Sequence, residues 1–191
     1  MAQGNPNRRS VNYDIYQIIK KFFKSSSREE IRHDLILPLV IAILIIGILV
    51  YCKLDILQIL RDLNDVIITV MSILAGFNTA SIAIISSSNL INFIDRLEGR
   101  DQRRNGEQLL KSLTSYFSYA IMLQLFILIV SIIASLVFKF LDFETIKNSM
   151  WYYNSLIIFF IIWFTIVLNS LFITIRNVAI LHNFILFIGR R

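Results

Sequence analysis

Asn78 and Gln124 are the side chains in this chain with the most unusual chemistry for their setting. Each lies in the middle of a long uncharged apolar run, at a similar distance from its ends. An amide in hydrocarbon without a partner carries a heavy desolvation cost. Each therefore requires a hydrogen bond, to the other or to a symmetry mate. Two roles are open to them. As glue between helices, each bond contributes about 1 kcal/mol. As a pore lining, Asn78, Thr79, Ser86 and Gln124 would face water in an oligomer. Asn169 and Ser170 pose the same choice in a later apolar run.

Groups for catalysis are sparse. His33 and His182 stand at the borders of apolar runs, far apart in sequence, and Cys52 is the single cysteine. No Cys/His spacing matches a metal site. Gly99 and Gly106 enclose charged residues and lack the Lys-Ser/Thr ending of a phosphate loop. The serines come without a G-x-S-x-G elbow. The reading is non-enzymatic, with no catalytic residue, metal or cofactor assigned. A serine or histidine site assembled across helices, acting on lipid or peptide, is the enzyme alternative. No Asp, Glu, Lys or Arg interrupts the apolar runs, which argues against proton relays, voltage sensors and ion-coupled transport.

The elements that carry these residues follow from hydropathy. The chain has 191 residues, 56% of them hydrophobic and only 17% charged. That charge is well below the roughly 25% of an average soluble domain. Two prolines and six glycines favour long uninterrupted helices. A crossing helix needs about 20 apolar residues. Four runs qualify: 35–52, 66–88, 113–138 and 151–175. Pro38 is placed in the first turn of the first run, where its missing N–H is tolerated. The expected fold is an all-α membrane protein, a four-transmembrane-helix bundle. A cytoplasmic leader occupies 1–34, the membrane domain 35–175 and an interfacial tail 176–191. The leader lacks the features of a cleavable signal peptide.

Charge orients the bundle. Fifteen of the nineteen basic residues fall in the leader, the central loop and the tail, and four in the other two loops. The positive-inside rule puts both termini and the central loop in the cytoplasm. The net charge of +6 follows from this asymmetry and does not require nucleic acid; anionic lipid is an equally good partner. Residues 11–23 align Val11, Ile15, Ile18, Ile19, Phe22 and Phe23 on one face beside Lys20, Lys21 and Lys24. This predicts an amphipathic helix on the inner leaflet, with a docking helix as the alternative. Ser25, Ser26 and Ser27 form a hinge, and Ser27 with Glu30 makes a capping-box pattern. Leu54, Leu57, Leu60 and Leu63 suggest an amphipathic turn at the outer surface or an extension of the first run. Residues 99–106, G-R-D-Q-R-R-N-G, form the most polar stretch. That loop, with Arg96, Arg100, Arg103 and Arg104, is the candidate contact for a soluble partner. Trp151, Tyr152 and Tyr153 at one boundary, and Tyr116 and Tyr119 at the other, fit headgroup anchoring.

The second run differs from the others. Ser72, Gly76 and Ala80 recur every four residues, as do Ala75, Thr79 and Ala83. Small residues at this spacing let helix backbones approach closely in lipid, within a subunit or between subunits. Residues 75–88, A-G-F-N-T-A-S-I-A-I-I-S-S-S, together with four spans and a basic leader, resemble the membrane subunits of Kiwa anti-phage defence systems. That resemblance implies a tetrameric bacterial inner-membrane homo-oligomer. It implies a sensor of phage attack that works with a soluble DNA-binding companion. The expected function is a membrane sensor or scaffold that couples an envelope disturbance to a cytoplasmic effector, with no direct nucleic-acid contact of its own. An oligomeric pore is the alternative.

Overall fold

The computed structural model describes residues 11–87, 100–140 and 150–189. These residues form five helices and no strand. They are α1 (Val11–Ser25), α2 (Arg28–Tyr51), α3 (Ile56–Ser87), α4 (Arg100–Phe140) and α5 (Met150–Gly189). Four of them, all except α1, are long and apolar enough to cross a membrane. The all-α, four-span class expected from hydropathy is the architecture found. Helix α2 packs against α5, α3 against α4, and α4 against α5, while α1 lies on α4. The principal apolar core runs through Leu60, Met71, Ile127, Phe160 and Trp163.

The helices extend well beyond the apolar runs. At 1.5 Å per residue, the 41 residues of α4 span about 60 Å, twice the roughly 30 Å hydrocarbon core. The stretch 100–106, read as a loop, is the beginning of α4. Its Arg, Gln and Asp residues are compatible with a helix, and Gly106 weakens it by only about 1 kcal/mol. Arg100 and Arg103 fall in the first turns, and Arg104 is exposed. Arg96 and the rest of the central link lie outside the described residues, as do residues 141–149. Residues 56–63 begin α3 and bury Ile56, Leu57 and Leu60. They are not an extension of the first run, because Lys53, at φ 52, turns the chain before them. The bonds Lys53 N–H to Val50 O (3.0 Å) and Leu54 N–H to Leu49 O (3.2 Å) close this C-terminus as a Schellman motif. Residues 176–189 continue α5.

Helix α2 starts seven residues before the apolar run. The Ser27 side chain accepts from Glu30 N–H (3.2 Å), and Glu30 accepts from Ser27 N–H (2.7 Å). This is the expected capping box. Pro38 therefore lies inside the helix and not in its first turn. It cannot donate to the carbonyl of Asp34, four residues back. Asn169 of α5 donates to that carbonyl at 2.6 Å. A proline that would leave an orphan acceptor instead joins two spans.

Candidate functional site

The polar residues of the spans meet on α5. Asn78 Nδ2 donates to Gln124 Oε1 at 3.0 Å, and Gln124 Nε2 donates to Thr174 Oγ1 at 2.9 Å. Thr174 Oγ1 donates to Ser170 O at 2.9 Å, and Ser170 Oγ approaches Met71 Sδ at 3.7 Å. Asn78, Gln124 and Ser170 are completely buried. This chain of bonds ties α3 to α4, α4 to α5, and α5 back to α3. Closer to the α2–α3 turn, Asn64 Nδ2 donates to Ser131 O (3.0 Å) and Ser135 Oγ (2.7 Å). That pair locks α3 to α4 a second time.

The other end of the bundle holds a charged cluster. Arg176 of α5 pairs with Asp34 of α2 at 2.5 Å, and both side chains are largely buried. His33 Nδ1 lies 3.6 Å from the second Asp34 oxygen. The guanidinium also stands over two rings, Phe22 at 5.3 Å and Tyr116 at 5.2 Å. Phe22 stacks on Tyr119 at 3.9 Å and 15°. Tyr116 Oη donates to Ser25 O at 2.6 Å, and Asn177 Nδ2 donates to Tyr116 O at 3.3 Å. Helix α1 is thereby fastened to the bundle at its C-terminal end, while Tyr13, Ile15 and Tyr16 remain exposed. The Tyr116 and Tyr119 rings receive Phe22 and are not free headgroup anchors. At the opposite end of the bundle, Trp151 is exposed.

These positions sort the expected residues. Asn78 and Gln124 bond to each other inside the subunit. The proposed pore set is consequently split: Asn78 and Gln124 face the core, whereas Thr79 and Ser86 face outward. Asn169 serves the Asp34 backbone. Of the small-residue stripe, only Ala75 is buried. Ser72, Gly76, Thr79, Ala80 and Ala83 are all exposed, and a Cβ built on Gly76 meets nothing within 4 Å. Within one subunit α3 packs through Ile67, Met71, Asn78 and Ile85, on the face opposite the stripe. Ser72 Oγ donates to Ile68 O (2.8 Å) and Thr79 Oγ1 to Ala75 O (2.8 Å). Their hydroxyls are satisfied by their own helix, so the stripe is small and smooth with no unmet polar demand.

Asp34, Arg176, Thr174 and Asn64 are the residues of these two clusters that the sequence does not single out, and Phe22 is legible there only as one member of an apolar face. Parity offered one signal. Asp34 precedes the first apolar run and Arg176 follows the fourth, so four crossings return them to the same depth with opposite charge. Cys52 is exposed at the far end of α2 from His33. Among the described residues, no three His, Cys, Asp or Glu side chains gather as a metal site. The chain matches no known family model, no curated protein and no solved structure.

Proposed function

We propose that this chain is a non-enzymatic membrane sensor or scaffold that self-associates through α3. The outward small-residue stripe carries this reading. In lipid, Leu and Ile side chains gain nothing by meeting another helix, whereas a smooth small surface permits close backbone approach and dispersion contact. Ser72, Gly76, Thr79, Ala80 and Ala83 make such a surface and have no use inside the subunit. The protein sits in a bacterial inner membrane with both termini in the cytoplasm. A disturbance of the bilayer or of the outer turn changes how the α3 stripes pack. Helix α4, which starts in the polar stretch at Arg100, Arg103 and Arg104, passes that change to a soluble effector. Anti-phage defence and a tetrameric assembly come from the Kiwa resemblance. Any such switch requires two packings that the stimulus stabilises unequally.

The test is Gly76→Leu, with native mass spectrometry in mild detergent. Because Gly76 is exposed and a Cβ there meets nothing within 4 Å, the variant is expected to keep its fold and lose its oligomer. An unchanged oligomer refutes association through this face. Wild-type protein purified from its native membrane is expected to bring a stoichiometric cytosolic companion.

The pore reading keeps one observation in its favour: Thr69, Ser72, Thr79 and Ser86 are exposed along one side of α3. If an assembly turned these hydroxyls to a lumen, ion flux in liposomes would be lost in Thr79→Leu. The sensor reading expects no flux from either protein.

A further inference from the structure

A cleft of about 450 Å³ opens between α1 and α4, a volume typical of small-molecule sites. Lys21 of α1 and Lys111 of α4 both line it, and Ser25, Ser112, Ser115 and Ser118 add hydroxyls. Both lysine side chains are exposed and able to reach an occupant. Ile18 and Leu110 form an apolar part of the wall. Among the described residues, the cleft lining contains no acidic side chain; Glu107, 3.9 Å from Lys111, offsets one of the two lysine charges and leaves the other.

Ser115 points to a ligand independently of the lysines. It is 6% exposed, and among the described residues its Oγ has no hydrogen-bond partner. Thr114, on the same turn, donates to Leu110 O at 2.9 Å, whereas Ser115 shares its open hydroxyl on α4 with Ser131, which is not among the residues that line the cleft. A buried hydroxyl left open beside two cations awaits an oxygen acceptor. The depth fits as well. Lys111 stands two residues before Leu113, a buried core residue at the beginning of the long apolar run. That is the level at which a bilayer turns from hydrocarbon to headgroup.

We propose that this cleft binds the phosphate group of an anionic ligand, between the Lys21 and Lys111 ammonium groups with the Ser115 hydroxyl donating to it. Ammonium–phosphate bonds are charge-assisted and stronger than neutral ones. The phosphate can belong to a lipid headgroup or to a free phosphate ion. The site does not depend on whether the protein senses, scaffolds or conducts.

The experiment uses the full chain in mild detergent, with phosphatidylglycerol, phosphatidylcholine and inorganic phosphate as probes. Native mass spectrometry reads lipid retention, and thermal unfolding reads the phosphate ion. Two double variants remove equal charge: Lys21→Gln with Lys111→Gln, and Lys20→Gln with Lys24→Gln as the control outside the cleft. The first pair is expected to weaken phosphatidylglycerol retention about tenfold, while the control pair retains it. Ser115→Ala removes a hydroxyl with no internal partner, so the fold persists and retention falls about threefold. Phosphatidylglycerol stabilisation without a response to inorganic phosphate identifies a lipid site. A response to inorganic phosphate that disappears in the Lys21/Lys111 pair identifies a free-phosphate site. Equal retention of both lipids by the wild type with no response to inorganic phosphate, or equal losses in the two lysine pairs, overturns the proposal.

Discussion

Asp34 and Arg176 show how one buried pair is held. Each carboxylate and guanidinium taken from water requires compensation by charge and by polarisable neighbours. Here Arg176 has Asp34 on one side and the Phe22 and Tyr116 rings on others. Rings attract cations through their quadrupole, and more strongly in a desolvated setting. Removing one member leaves an uncompensated charge. Asp34→Asn is therefore expected to lower unfolding stability by about 3 kcal/mol, and Arg176→Met by a similar amount. The double variant Asp34→Leu with Arg176→Met should recover most of that loss. Thermal unfolding in detergent checks it; strictly additive losses would show that the two groups are not coupled. This pair escaped the sequence reading because its members stand 142 positions apart, just outside the windows that hydropathy selects. Asn78 and Gln124 were legible as a possible pair because amides are conspicuous in apolar runs. Thr174, their third partner, was not, since a threonine in a span has an ordinary alternative in its own backbone.

At the scale of elements, local signals were read correctly and extents were not. Ser27 and Glu30 announced the start of α2 through spacing alone. Helix α2 begins at Arg28, seven residues before the apolar run, since charged residues end the run and not the helix. Charges at the ends of a long helix are compatible with helix outside hydrocarbon, and α4 and α5 repeat the lesson. The small-residue stripe on α3 was legible as a packing surface, but a single chain cannot tell an inward face from an outward one until its partners are placed. Helix α1 shows a tertiary contact that its periodicity does not announce. Its apolar face suits lipid or a partner equally, and the structure gives Phe22 to α4 and α5 while leaving Ile15 outside. The most buried ring of that dock is Phe22, which is 4% exposed, and the Tyr116–Ser25 bond supports it. Phe22→Ala is expected to cost about 3 kcal/mol of docking. Amide exchange in residues 11–25 should then rise while the spanning helices stay protected. Protection of α1 that survives the change would show that lipid contact, not the Phe22 cluster, holds it.

The whole molecule presents an unusual amount of apolar surface. Helix α2 buries only Asp34, Pro38, Ala42 and Ile46, a single seam at every fourth residue. Leu35, Ile36, Leu39, Ile43, Leu44 and Ile48 around it are exposed. No water-facing helix would carry such a surface; a helix in lipid meets no penalty for it. The molecule is also polarised from end to end. Asp34, Arg176, Lys21 and Lys111 mark the end where α1 docks, and Cys52 marks the other. In the proposed topology, which follows the positive-inside rule, the first end faces the cytoplasm. The lone cysteine makes that assignment testable without adding a residue, because Cys52 is exposed in the α2–α3 turn. In intact spheroplasts it should react with a membrane-impermeant maleimide. A second protein, with Cys52→Ser and Gln102→Cys, should react only after the cells are opened. Its new thiol lies in the first turn of α4, across the membrane from residue 52. Labelling in the reverse order would invert the topology and place the Lys21–Lys111 cleft in the outer leaflet. It would also remove the α4 start from reach of any cytoplasmic effector.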